Sequence, residues 1–154
     1  MASRRDQGRA AVYRTEDIVI KLLKDGGTVD LFGSTFPLPE AGFRRFGRVE
    51  DAERYLDALW QMSWVQEYQI SKPALRVRRG DRKAHYERRS HTIAVPAADW
   101  ALNEMVVLHE VAHALTPGDG HGQRFRRVLA DLTSRAIDPV VGILLNYYFD
   151  LEME

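Results

Sequence analysis

The chain has 154 residues, 45% apolar and 29% charged, with 22 basic residues against 22 acidic ones. That is the composition of a globular domain large enough for one core, and a net charge of zero directs no overall field at nucleic acid or membrane. The absence of cysteine excludes a disulfide scaffold, a thiolate metal site and a cysteine nucleophile.

No segment is long and apolar enough to span a membrane. The polar, arginine-rich start from Met1 to Arg9 lacks the apolar stretch of a secretory signal. A cytoplasmic protein is therefore expected. Residues 1–11 read as a flexible tail, leaving 12–154 as a single domain. Ile18, Val19, Leu22 and Leu23 recur at helical spacing, with Glu16 and Asp17 early and Lys21 and Lys24 late, as the helix dipole favours. Gly26-Gly27 ends that helix. Thr28 to Leu38 reads as a hairpin turning at Gly33-Ser34, and residues 39–48 as a linker. From Val49 to about Val65 one amphipathic helix presents Ala52, Tyr55, Leu56, Leu59, Trp60 and Ser63 on one face.

Leu75 to Arg78 alternates as a half-buried strand does, Arg79-Gly80-Asp81 turns, and Ala84–Glu87 with His91–Val95 predicts a second hairpin closed by Pro96. A buried helix follows over about 100–115, with Asp99 as its N-cap and Thr116-Pro117-Gly118 as its stop. Another helix is predicted over 121–135, burying Phe125, Val128, Leu129 and Leu132. The last starts at Asp138-Pro139 and buries Val140, Val141, Leu144, Leu145 and Tyr148. Strands before helices indicate an α+β fold: a small, mostly antiparallel sheet packed against the buried helix, with further helices on either side.

The buried helix carries the chemistry. From Met105 to Leu115 every residue is apolar except His109, Glu110 and His113. A helix apolar all round is buried, and ionisable groups inside it are costly unless something pairs with them. Two histidines four apart share one helix face, so both imidazoles can reach one ion; Glu110 is set about a quarter-turn aside, where it can reach a water on that ion. The competing reading is a pair of satisfied core histidines with a buried ion pair. With no thiolate, zinc is the expected cofactor, held by three protein ligands and one water. His121 is the expected third ligand: it lies four residues before Phe125, after a turn made by Pro117, Gly118 and Gly120. Asp119 and Asp131 are the fallbacks. Glu110 is then the general base that takes a proton from water and returns it to the leaving amine. Tyr147, Tyr148, Tyr86, His91 and His85 are undistinguished candidates for an oxyanion donor. If His91–Val95 is a sheet edge, an extended peptide could pair with it and lie across the metal.

The run from His109 through His113 and a glycine-containing loop to His121-Gly122-Gln123-Arg124-Phe125 is similar to the SprT-like zincin metallopeptidases. The chain resembles more closely a family of small metallohydrolases from actinobacteria, from Val12-Tyr13 to the last helix, including Val29–Gly33, Ala84–Glu87 and Ile93–Pro96. The resemblance implies a zincin-like core with His109, His113 and His121 as ligands and Glu110 as base. It implies no particular substrate. The chain departs from the SprT-like pattern in its short loop from His113 to His121 and in having no cysteine for a zinc ribbon.

The expected function is a zinc-dependent hydrolase acting on a peptide or protein. An alternative is a nucleic-acid-associated protein using the basic stretch Arg76, Arg78, Arg79, Arg82, Lys83, Arg88 and Arg89, although a solvated sheet face explains that stretch more simply. A third reading is a module that binds metal and cleaves nothing.

Overall fold

The computed structural model describes residues 4–153 apart from Asp81 and Asp99. The elements run α1 (Arg4–Asp25), β1 (Thr28–Leu31), β2 (Ser34–Pro37), α2 (Val49–Trp60), α3 (Ser63–Gln66), β3 (Ala74–Arg78), β4 (His85–Glu87), β5 (Thr92–Pro96), α4 (Glu104–Leu115), α5 (Gln123–Ala136) and α6 (Pro139–Met153). The fold class is α+β, as expected. Contacts divide the chain into two compact units: Arg44–Pro117, and Met1–Phe43 with Gly118–Glu154. No described helix is long and apolar enough to cross a membrane.

In the second of these units, α1 corrects the expected flexible tail: from Arg4 onward the chain is helical, and Ala11 and Val12 are fully packed. The helix-forming run through Arg9-Ala10-Ala11 has no stop signal, and the buried stripe Ala11, Val12, Thr15, Val19, Leu23 keeps helical spacing. Ile18 faces out instead. The hairpin β1–β2 pairs Leu31 with Ser34, so its turn is Phe32-Gly33, one residue earlier than expected. Both turn residues have positive φ, +54° and +77°, the twist that suits a two-residue hairpin. Helix α6 packs on α5 and α1. The Asp138 carboxylate accepts from the Val140 amide at 2.9 Å, with Pro139 at the first helical position. The inward stripe of α6 continues to Phe149, four residues after Leu145, rather than to Tyr148.

In the unit Arg44–Pro117, the helix expected over 49–65 breaks after Trp60. The reason is geometric: nine residues past Leu56, Val65 would point away from the buried face of a continuous helix. The break at Gln61-Met62 redirects the chain, and α3 buries Val65 completely. The three-stranded sheet has the order β3-β5-β4, with β3 parallel and β4 antiparallel to β5. It is therefore mixed rather than mostly antiparallel, and β1–β2 forms a separate sheet. All five residues of β5 are buried, which is why Ile93-Ala94-Val95 reads as a continuous apolar run. Being central, β5 is paired on both sides. The expectation that a peptide adds to His91–Val95 as a sheet edge therefore fails.

Helix α4 packs beside β4. Of its twelve residues only Val106 and His113 are not buried. Asp99, the expected cap, lies outside the described residues. The helix starts at Glu104 instead, capped by Asn103, whose side chain accepts from the Val106 amide at 3.0 Å and donates to the Trp100 carbonyl at 2.9 Å. At the other end the Thr116 hydroxyl donates to the Ala112 carbonyl at 2.7 Å and closes the last turn.

Candidate metal centre

Helix α4 sets its two histidines one turn apart. The His109 and His113 Nε2 atoms are 3.2 Å apart, and the ring centroids 4.9 Å apart at 67°. His109 and Glu110 are buried and His113 is half-buried. The Glu110 carboxylate lies 4.0 Å from His109 Nε2, close enough to share the same small volume and too far for a hydrogen bond. This is the arrangement that the i, i+4 spacing dictates: ring nitrogens converging on one point and a carboxylate set to the side.

His121 does not open α5, as the sequence suggests. It lies in the preceding turn, and the helix begins at Gln123 with Gly122 as its N-cap. Its ring still reaches the first turn of α5, 5.0 Å from the Phe125 centroid at 74°. Asp119 shapes the turn: its Oδ2 accepts from the Phe125 amide at 2.8 Å, and its carbonyl accepts from the Gly122 amide at 3.1 Å. A Cβ on residue 122 would stand 2.8 Å from both Asp119 carboxylate oxygens, so any other residue there would displace that carboxylate. Asp119 thus serves as a cap. Asp131, the other fallback ligand, receives a hydrogen bond from Arg135 Nε at 3.0 Å.

Among the described residues, His109, His113 and His121 form a group whose ligand nitrogens all lie within 4.8 Å of one another. This cluster could hold a metal ion. Three imidazoles without a thiolate fit zinc, and also copper, iron or nickel.

The first turn of α4 holds a charge of another kind. Glu104 is 1% exposed, and its carboxylate accepts from the Arg44 amide and Arg44 Nη1, both at 3.0 Å, and from the Tyr55 hydroxyl at 2.5 Å. Burial, and then the Glu104 charge, push the Tyr55 hydroxyl far above the ordinary phenol range.

The expected oxyanion candidates have other partners. Tyr147 and Tyr148 pack edge to face, with Phe32 against Tyr147. His91 Nε2 is 2.6 Å from the Ser71 carbonyl, which can only accept. In the neutral ring His91 Nδ1 is then the acceptor for the Tyr86 hydroxyl, also at 2.6 Å. His85 Nε2 lies 3.0 Å from Glu87 Oε1. Arg76 above all, then His85 and Ser90, hold the Glu87 carboxyl below its usual range. Within the basic stretch, Arg76 pairs with Glu87 and Arg78 donates to the Lys83 carbonyl, while Arg88 and Arg89 are exposed in the turn before His91.

Sequence reasoning missed the groups that hold His121. Arg126 Nη1 donates to its carbonyl at 2.9 Å, the Tyr13 ring stands 5.7 Å from its imidazole, and Gly8 lies against its backbone. A glycine inside an otherwise helix-forming stretch was the available signal. No family model, no curated protein and no solved structure matches this chain.

Proposed function

We propose that this chain is a zinc-dependent hydrolase of zincin-like design, with His109, His113 and His121 as ligands and Glu110 as general base. The observation that carries the reading is the convergence of three imidazoles beside one buried carboxylate. Zinc bound there supplies a Lewis acid that makes water acidic near neutral pH and polarises a carbonyl. Glu110, fixed on α4 next to His109, takes the proton of the attacking water and delivers it to the leaving amine. Burial of His109 and Glu110 on α4 strengthens the charge interactions between them. The substrate class favoured is a peptide. The strand edge left for it beside α4 is β4, since β5 is enclosed.

Metal content tests the reading directly. Wild type is expected to bind one zinc per chain, His121→Ala to lose it, and Glu110→Gln to keep it. In a peptide-library assay Glu110→Gln should lose about 10²–10⁴-fold in rate, the usual contribution of a positioned general base. Full zinc occupancy in His121→Ala would remove the third ligand. Zinc-loaded wild type inert toward the library would leave a metal-binding module and no peptidase.

A further inference from the structure

Gly8 lies inside α1, where alanine would be about 0.5–1 kcal/mol better. What lies beside it accounts for the exception. A Cβ there would come within 3.3 Å of the His121 carbonyl oxygen and 3.9 Å of the His121 Cβ, so α1 rests directly on the peptide of this residue. Further along the same helix, the Tyr13 ring meets the His121 imidazole at 5.7 Å and 52°. Arg9, one turn back on the Tyr13 face, places its guanidinium 5.7 Å from the centre of the Tyr13 ring. The imidazole of His121 therefore has Tyr13 and Phe125 as aromatic neighbours, and its peptide has Gly8 and Arg126.

His121 belongs to a turn rather than to a helix, so the elements packed on it contribute to the orientation of its imidazole. We infer that Gly8 and Tyr13 are positioning residues of the metal centre: α1 holds the third imidazole in the orientation that binds. This rests on reading His121 as a ligand. Its consequence is reciprocal, since whatever fixes a ligand is itself fixed when the ion binds. Zinc should therefore slow amide exchange in α1 near residues 9–13, far in sequence from His109 and His113.

The test is competitive zinc titration of the full chain, with the visible spectrum of the cobalt-substituted protein as a second readout. Tyr13→Ala and Gly8→Leu are each expected to weaken zinc about tenfold, the low end for changes around a ligand. Both should alter the cobalt bands as the third imidazole lets go. Tyr13→Phe keeps the ring and should bind zinc as wild type does. Arg14→Ala, also on α1, removes the exposed pair with Glu152 of α6 and should leave zinc affinity unchanged. Wild-type affinity in both Tyr13→Ala and Gly8→Leu would overturn the inference and leave the ligand reading intact. An equal loss in Arg14→Ala would assign the effect to helix stability and also overturn it. Unchanged zinc binding in His121→Ala would bring down both.

Discussion

At the first turn of α4, Glu104 is buried and met by three donors from Arg44 and Tyr55; near the last turn, His109 and His113 are set so that their Nε2 atoms face each other at 3.2 Å. Helix and apolar packing are shared, and the difference lies in what satisfies the polar atoms. A buried carboxylate with a guanidinium, an amide and a phenol on it is complete within the chain. His109, His113 and His121 bring three ligand nitrogens within 4.8 Å of one another, a set that one cation could engage together. Burial of an ionisable group is thus no mark of function by itself. What sets the other end of α4 apart is the convergence of several ligand nitrogens in one place.

If the two ends are as distinct as this, each should fail alone. The largest effect is expected for Glu104→Ala, which strips the partner from the buried Tyr55 hydroxyl and the Arg44 amide. We expect a loss of about 3 kcal/mol in unfolding free energy, the low end for a broken buried pair because the Arg44 guanidinium is largely solvated. Zinc stoichiometry should not change in the fraction that folds. Glu104→Gln, which keeps the shape, gives a milder form of the same test by urea denaturation with zinc titration. Loss of zinc in the stable Gln variant would join the two ends into one network.

Next in size is Tyr55→Phe, which removes a hydrogen bond to a charged acceptor and should cost about 2 kcal/mol at neutral pH. It also carries a pH signature. The folded Tyr55 hydroxyl keeps its proton well above the phenol value of about 10, whereas the unfolded chain gives it up there. Above about pH 10 the unfolded state binds fewer protons than the folded one, so the Tyr55 contribution is complete below that pH and declines as pH rises further. Urea midpoints of wild type should therefore fall more between about pH 8 and pH 11 than those of Tyr55→Phe. Parallel curves would mean that Tyr55 titrates alike in both states.

A smaller effect separates the helix-borne histidines from the turn-borne one. Gly122→Ala would drive a Cβ into the Asp119 carboxylate and release the Phe125 amide. The expected cost is about 1 kcal/mol, that of a lost cap. Zinc affinity should fall with it, because His121 is the adjacent residue. The same stability loss with unchanged affinity would show that the Asp119 turn does not orient His121.

The same contrast explains what was legible beforehand. His109, Glu110 and His113 could be read because their geometry follows from helical periodicity alone, and the apolar residues around them announce burial. The helix-rich second half, the hairpin β4–β5 and the Asp138-Pro139 start of α6 follow from local patterns in the same way. What depends on partners distant in sequence could not be read. The parallel pairing of β3 with β5, which makes β5 central, leaves no trace in β5 beyond its apolar run. The break at Gln61-Met62 lets α3 bury Val65, and α1 buries Ala11 and Val12 in a stretch whose composition reads as a tail. Glu104 shows the limit most plainly, because an acid in the first turn of a helix is ordinary and its partners lie 49 and 60 residues away.

The smallest effect bears on the start of α4 itself. Asn103→Ala removes the side chain that accepts from the Val106 amide and donates to the Trp100 carbonyl. Loss of such a cap costs about 1 kcal/mol, and Asn103→Asp, which keeps the acceptor, should recover most of it. Glu104 beside it tempers the recovery, since two carboxylates would then share the first turn. His109 lies six residues beyond the cap, and the intervening residues of α4 are held by packing on nearly every face. Fraying at Asn103 should therefore not reach the imidazoles, and zinc affinity should stay within about twofold of wild type. A tenfold loss in Asn103→Ala, with stability lowered by no more than the cap is worth, would mean that α4 transmits strain along its length. The charge at its start would then be part of what sets the histidines at its end.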